Sequence, residues 1–439
     1  MQMDYDQAVS WLFTRTPLFQ NTGAGAYKEG LENTLALDRH FGSPHRLFQT
    51  IHIAGTNGKG SVSHTLAAVL QSSGLKVGLY TSPHLIDFRE RIRVNGTPIG
   101  KEYVARFVSE NQDFMESMHP SFFEVTTAMA FSWFAHEKVD IAVIETGLGG
   151  RLDCTNIITP KLCVITNIGF DHMQFLGNTL QSIASEKAGI IKHCVPTVIG
   201  EDCPETRPVF EEKAKKEHAP IIFAQDNCKI ISTSHKTLDK VFYETSDISG
   251  LESGLAGMCQ EKNANTILHA IDCLRNQGYT ITDADIRQAF ADVCRMTGLM
   301  GRWQQLGEHP TVICDTGHNS HGIKYTSRHL TEIMSGPGFG TMRIVMGMVG
   351  DKDIDNVLEL MPENAVYYFT QASVERAMNV NVFQQKANNH GLRGTAYGSV
   401  GEAFRAARRD ASANDMIFVG GSTFVVADLL KLPDFSYSF

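Results

Sequence analysis

At 439 residues the chain is longer than one hydrophobic core ordinarily serves, so two domains are the expectation. Its 42% hydrophobic and 20% charged residues describe an ordinary globular protein, and a net charge of -9 with no cluster of Lys and Arg argues against a nucleic-acid partner. The acidic start Met1-Gln2-Met3-Asp4-Tyr5-Asp6 is unlike a secretory leader, no run of about 18 apolar residues suggests a membrane span, and the nine cysteines are scattered without a C-x-x-C pair.

A reducing cytoplasm and small-molecule partners are therefore expected, with structural zinc and disulfides disfavoured. An anionic substrate stays compatible with the acidic total, because a few local cations suffice to bind it.

The first strand-like run is Gln49-Thr50-Ile51-His52-Ile53-Ala54, and a helix-like one follows with Ala67, Ala68, Val69 and Leu70. Between them lies Gly55-Thr56-Asn57-Gly58-Lys59-Gly60-Ser61. A glycine-rich turn from strand to helix lets backbone N–H groups surround phosphate oxygens, and Lys59 brings a cation to the outer ones. The pattern departs from G-x-x-x-x-G-K-[ST]. Ile53 stands where the first Gly belongs, and Gly60 where the metal-binding hydroxyl belongs, the hydroxyl arriving one residue later at Ser61.

Further apolar runs follow in order: Lys76-Val77-Gly78-Leu79-Tyr80, Val139-Asp140-Ile141-Ala142-Val143-Ile144, Leu162-Cys163-Val164-Ile165-Thr166 and Pro196-Thr197-Val198-Ile199. Short, β-branched and bounded by Gly or polar residues, they read as buried strands of a mostly parallel sheet alternating with helices. The polar stretch 226–257 is expected to add antiparallel strands to that sheet. Helical spacing resumes at Ile267, Ala270, Ile271 and Leu274, and stops near Met296-Thr297-Gly298.

The domain boundary is placed there, giving 1–297 and 298–439. The second part repeats the α/β pattern at Thr311-Val312-Ile313-Cys314, Arg343-Ile344-Val345-Met346-Gly347, Ala365-Val366-Tyr367-Tyr368-Phe369 and Met416-Ile417-Phe418-Val419. The fold class expected is thus an N-terminal P-loop ATPase domain followed by a smaller Rossmann-like α/β domain.

Ligands of open α/β sheets bind beyond the carboxyl ends of the strands. The second strand ends in Thr81-Ser82-Pro83-His84-Leu85, the Val139 strand in Glu145-Thr146-Gly147-Leu148-Gly149-Gly150, and the Leu162 strand leads to Asn167-Ile168-Gly169-Phe170-Asp171-His172. An acid at the end of an apolar strand beside a phosphate loop commonly holds magnesium, and Glu145 is that acid. With Gly60 lacking a hydroxyl, Ser82 is placed to supply an oxygen. A lone Ser or His is more often a turn residue or a satisfied polar group. The shared position at strand ends favours the functional reading for Ser82 and, less strongly, for His172. Lys187, in Ser185-Glu186-Lys187-Ala188-Gly189-Ile190-Ile191-Lys192, reads from composition alone as a solvated helix charge.

Taken together, 54–61, 81–85, 145–153, 185–192, Gly301-Arg302, 315–319 and Asp351-Lys352-Asp353 resemble in order the folylpolyglutamate synthases and dihydrofolate synthases of the Mur ligase superfamily. The resemblance implies an ATP-dependent amide ligase. A carboxylate of dihydropteroate or of a reduced folate is phosphorylated, and the amine of L-glutamate displaces the phosphate. It implies that Asn57, Gly58, Lys59, Gly60 and Ser61 hold the ATP phosphates and that Ser82 and Glu145 bind a first Mg2+. His172 and a carbamylated Lys187 would bind a second, with Lys192 as the neighbouring alternative for the modification.

Lys28, Glu29, Gly30 and Leu31, Phe122, Phe123 and Glu124, and Arg151, Leu152 and Asp153 match the family's pterin-binding segments. Asn263, Arg302 and Asp315 match nucleotide contacts, while His318 and Ser422 match motifs near the acyl phosphate and the incoming glutamate. A monomer is the implied state. Two departures stand out. The usual Asp-Gly-Ala-His-Asn-Pro is here Asp315-Thr316-Gly317-His318-Asn319-Ser320, and the frequent His before Gln260 is Cys259.

Alternatives are a folylpolyglutamate synthase alone, another Mur-type ligase with a UDP-linked substrate, or a P-loop nucleotide switch. The last would carry an Asn-Lys-x-Asp motif, and the chain has no Asn-Lys dipeptide.

Overall fold

The computed structural model describes residues 3–16, 30–350 and 354–435. The chain forms two compact units. The first comprises Met1–Thr233, Phe242–Ser253 and Glu261–Leu299; the second comprises Ser234–Val241, Gly254–Gln260 and Met300–Phe439. The second unit thus draws in two short stretches that precede the 297/298 position expected from sequence.

The first unit is built on eight strands: β1 (Gln49–Ala54), β2 (Val77–Tyr80), β3 (Ile92–Val94), β4 (Thr97–Pro98), β5 (Ile141–Glu145), β6 (Leu162–Ile165), β7 (Thr197–Ile199) and β8 (Ile221–Phe223). Their order is β4-β3-β2-β5-β1-β6-β7-β8. From β2 through β8 every neighbour is parallel, while β2-β3 and β3-β4 are antiparallel. Both faces of the parallel part are covered, which is why its strands read as unbroken apolar runs.

On one side Phe131 and Phe134 of the helix Phe122–Glu137 pack with Ala142 and Ile144 of β5 and with Leu12 of the helix Tyr5–Arg15. Ile183 and Ala184 of the helix Leu180–Ala188 are likewise buried, and Ala184 joins Ala54, Ile165 and Phe210 in a second cluster. Burying one such aromatic side chain contributes about 1.5–3 kcal/mol.

The helix Asp283–Thr297 begins in a capping box, Thr282 with Asp285, and ends where Gly298 turns left-handed at φ 69°. This is the stop visible in the sequence. Its partner is the helix Lys59–Ser72, to which His64 Nδ1 and Thr297 Oγ1, 2.8 Å apart, tie it.

The polar stretch after residue 226 does form strands, β9 (Ile230–Ser234), β10 (Val241–Thr245) and β11 (Leu251–Ser253), but they make a separate three-stranded sheet rather than an extension of the main one. The main sheet already ends in β8 on that side, and β9 keeps only Ile230 buried, so it has little apolar face to add.

The second unit carries β12 (Gln304–Glu308), β13 (Thr311–Cys314), β14 (Met342–Met346), β15 (Val366–Phe369), β16 (Gly394–Ala396) and β17 (Met416–Gly420) in the order β12-β13-β17-β14-β15-β16. All pairs are parallel except the β12-β13 hairpin. Ile344, Met346, Phe369 and Phe418 from its strands join Leu330 and Phe383 from its helices in one core. Among the described residues no helix is long and apolar enough to cross a membrane.

Candidate active site

In the first unit Ile53 of β1 pairs with Glu145 of β5, Ala54 with Ile165 of β6, and Tyr80 of β2 with Ile144. Parallel strands in this register bring their carboxyl ends to one rim. The loops 55–58, 81–85, 146–150 and 166–172 therefore leave the sheet side by side.

Gly58, at φ 83°, precedes the helix Lys59–Ser72, and no side-chain hydrogen bond caps that helix. A helix start without such a cap directs N–H groups and the positive end of its dipole at an anion. Gly55 sits at φ 149°, and a side chain there would collide with Thr166 Oγ1; one at Gly58 would collide with Asn263 Oδ1. Asn263 is thus packed against the turn it was expected to serve.

The loop after β6 clamps the turn. Thr56 N–H donates to Asn167 O at 3.0 Å, Asn57 N–H to Asn167 Oδ1 at 2.9 Å, and Thr166 Oγ1 to Asn57 O at 2.5 Å. Thr166 and Asn167 had no role assigned from sequence, although their place at the end of β6 was the available signal.

Lys59 Nζ donates to Gly55 O at 3.0 Å and to Thr56 O at 3.1 Å. Lys187, only 4% exposed, donates to the same Gly55 O at 2.9 Å. It is no solvated helix charge. Burial and then the Lys59 ammonium push its pKa down to about 7, against the opposing pull of Asp171 and Asp153.

Glu145 is buried, and its Oε2 accepts the Ser82 N–H at 3.3 Å. A carboxylate and a hydroxyl on adjacent strand ends are oxygen donors suited to a hard divalent cation. His172 is half-exposed at φ 52°, its Nε2 3.9 Å from Asp171 Oδ2. No group of three His, Cys, Asp or Glu that could hold a metal assembles among the described residues. The candidate donors are of mixed type and come from different loops.

The pterin-site candidates are less uniform. Gly30 (φ 104°) and Leu31 lead into the helix Glu32–His40. Phe122 is core, stacked on Phe13 at 5.3 Å under the Arg91 guanidinium at 5.2 Å. Phe123 is partly exposed, stacks on Tyr80 at 5.7 Å and lies against Gly147, where any Cβ would come 2.6 Å from its Cζ. Glu124 is buried and accepts the Ser121 N–H at 2.6 Å in a capping box.

Arg151 is exposed and paired with Glu186 at 2.9 Å, and Leu152 is half-buried. Asp153 is turned inward. It accepts Gly147 N–H and Leu148 N–H, both at 2.8 Å, and the Thr155 N–H and hydroxyl at 3.0 and 2.5 Å. Lys28, Glu29 and 351–353 lie outside the described residues.

In the second unit Asp315 directly follows β13, half-buried, and accepts the Trp303 N–H at 2.8 Å and the Gly317 N–H at 2.7 Å. Burial raises its pKa, and Arg302 opposes the rise. Arg302 Nη1 donates to the Thr316 hydroxyl, which in turn donates to Gly301 O at 3.1 Å. The departure at Thr316 therefore supplies a hydroxyl that fixes Arg302. Asn319 caps the helix Ser320–Met334 through Gly322 N–H, and Ser320 stands at the first helical position, where Pro is favoured. His318 Nδ1 lies 3.0 Å from Thr316 O. Ser422 is buried and caps the helix Thr423–Leu430.

Residues 53–271 match the Mur ligase middle domain, and residues 301–423 match the Mur ligase glutamate ligase domain. The dihydrofolate synthase/folylpolyglutamate synthase of Bacillus subtilis is 30% identical, over 97% of this chain and 98% of its own length. The structure of E. coli FolC in complex with DHPP and ADP superimposes with a TM-score of 0.83 at 28% identity, covering 98% of this chain and 97% of that one. A bifunctional folylpolyglutamate synthase/dihydrofolate synthase with Mn, AMPPNP and L-glutamate bound gives 0.80 at 26% identity, over 98% and 97%. With both domains matched in order and the likeness running end to end, the chain belongs to the dihydrofolate synthase/folylpolyglutamate synthase family of Mur ligases.

Proposed function

We propose that the protein is an ATP-dependent amide ligase that joins L-glutamate to dihydropteroate and to reduced folates. The observation that carries this reading is the uncapped turn at Gly58-Lys59-Gly60, flanked on adjacent strand ends by Ser82 and Glu145, in a chain whose full-length relative carries both activities in its name. Asn57 to Ser61 hold the ATP phosphates, with Lys59 exchanging its loop carbonyls for phosphate oxygens. Asn263 of the first unit contacts the nucleotide, and Arg302 and Asp315 of the second unit match the family's nucleotide-binding motifs.

The carboxylate of the acceptor takes the γ-phosphoryl group and ADP is released. The glutamate amine then attacks the acyl carbon, and the tetrahedral intermediate expels phosphate. Preorganised positive charge lowers the energy of both charged species. In the second unit His318 and Ser422 match the motifs that serve glutamate, and in the first unit Gly30, Leu31, Phe123 and the turn 151–153 line the acceptor.

Ser82 and Glu145 would hold one Mg2+, and His172 with a carbamylated Lys187 a second; the ions supply charge neutralisation to the phosphate oxygens. Support for the modification is physical. Carbamylation needs a neutral amine, and Lys187 is held near pH 7 beside Lys59. Carbon dioxide would add to the neutral Lys187 amine with release of one proton, leaving a carbamate anion attracted to the Lys59 ammonium where a protonated Lys187 would be repelled.

Incorporation of labelled glutamate, with ATP, into dihydropteroate and separately into tetrahydrofolate tests the reading. Both acceptors are expected to be glutamylated. Product from tetrahydrofolate alone reduces it to a folylpolyglutamate synthase, and ATP turnover indifferent to acceptor and glutamate overturns it in favour of a nucleotide switch.

A further inference from the structure

One buried polar chain in the first unit remains without a role. His52 lies in the middle of β1, fully buried, between Ile144 of β5 and Cys163 of β6. A histidine among apolar strand residues is costly unless it has a defined partner. Its Nε2 is 2.8 Å from Thr155 Oγ1, and its Nδ1 finds no partner among the described residues.

The direction of every proton follows from Asp153. That side chain receives three backbone N–H groups and the Thr155 hydroxyl, two donors on each oxygen. Burial raises its pKa, but three backbone N–H groups, which can only donate, favour the carboxylate, and a carboxylate in turn takes the Thr155 hydroxyl hydrogen. The Thr155 hydroxyl hydrogen is committed to Asp153 Oδ1, so Thr155 Oγ1 accepts from His52. His52 is therefore the neutral Nε2–H tautomer. The result is a chain that converges on one acceptor: His52 N–H donates to Thr155, Thr155 O–H donates to Asp153, and the N–H groups of Gly147 and Leu148 donate to the other oxygen of the same carboxylate.

That last contact lies two residues beyond Glu145, on the turn against which Phe123 packs. We propose that His52 and Thr155 are positioning residues for the acceptor. Acting through Asp153, they hold 147–152 in the shape that receives the pteroyl group. The proposal rests on the reading above that this turn lines the acceptor. Side-chain chains of this kind orient the groups they end on, and a displacement of about 1 Å at a reacting group lowers rates by about a hundredfold.

Steady-state kinetics on the full chain with dihydropteroate, ATP and glutamate provide the test. Thr155→Val, nearly isosteric but without the hydroxyl, is expected to raise the KM for dihydropteroate about tenfold while the KM for ATP stays within twofold. Thr155→Ser restores it. His52→Gln, which keeps an N–H near the same point, is expected to lie closer to the parent than His52→Leu, so the histidine pair decides the matter if Thr155→Val does not fold.

Equal changes in both KM values, equal behaviour of Thr155→Ser and Thr155→Val, or unaltered dihydropteroate KM would overturn the positioning role. Asp153→Asn separates the two layers. If it leaves the dihydropteroate KM unchanged, the placement of the acceptor itself is wrong; if it raises that KM while Thr155→Val does not, only the relay fails.

Discussion

Two amines directed at one carbonyl oxygen make an unstable arrangement when both are charged, and Gly55 O receives both Lys59 and Lys187. Lys187 yields, because it is the more deeply buried. Its folded pKa of about 7 lies below the ordinary 10.5, so between those values the unfolded chain binds the extra proton and stability rises with pH. Above pH 7 the neutral amine predominates and is open to carbon dioxide; as pH falls through 7 it protonates and the carbamate is lost. A 13C-bicarbonate sample at pH 8 is expected to show a carbamate resonance that disappears in Lys187→Arg, with activity in carbon-dioxide-depleted buffer recovering on addition of bicarbonate. A spectrum without that resonance, in fully active protein, removes the modification. The burial is not legible in Ser185-Glu186-Lys187, where the lysine has the local pattern of a solvated helix residue; only the motif match pointed to the modification. Only the packing of the helix Leu180–Ala188 against the sheet creates the burial.

At the level of elements, positive φ separates two kinds of glycine around the helix Lys59–Ser72. Gly74, beyond its end at φ 90°, meets no atom within 4 Å of an added Cβ, whereas Gly55 at φ 149° meets Thr166. Gly74→Ala is expected to lower stability by about 1 kcal/mol through backbone strain with unchanged ATP affinity. Gly55→Ala has the same strain and also displaces the clamp from β6, so ATP affinity measured by calorimetry is expected to fall at least about tenfold; equal affinities in the two variants would refute the distinction.

The buried parallel strands β1, β2, β5, β6 and β7 could be read in advance because two covered faces leave a plain apolar signature. The hairpin β3-β4 was signalled only by Asn95-Gly96, left-handed at φ 46° and 77°, between strands of three and two residues. The sheet β9-β10-β11 was misplaced because alternation reports a strand but not which sheet it joins. Ser82 and Glu145 could be read because strand ends define the rim. His52 and Thr155 could not, since a hydrogen-bonded chain between residues 103 positions apart leaves no local pattern.

For the whole molecule, the path of the chain matters as much as its two compact units. It passes from one unit to the other after residues 233, 241, 253, 260 and 299. The indole N–H of Trp303 donates to Leu238 O at 3.0 Å, and Ala256 is buried in the core of the second unit. A fragment 298–439 lacks both, and loses a hydrogen bond of about 1 kcal/mol together with part of its apolar cover. Restoring 234–260 to that fragment as a linked segment is expected to raise its melting temperature by several degrees, and no gain would show that these stretches contribute nothing to the fold. The five passages also bear on inheritance. A gene encoding such a protein cannot exchange its second unit as a contiguous cassette, because a crossover at 298 leaves two of that unit's pieces behind in the parental half. Each recombinant then carries Leu238 and Ala256 from one ancestor against Trp303 from another, so shuffling succeeds only between parents already matched at those contacts.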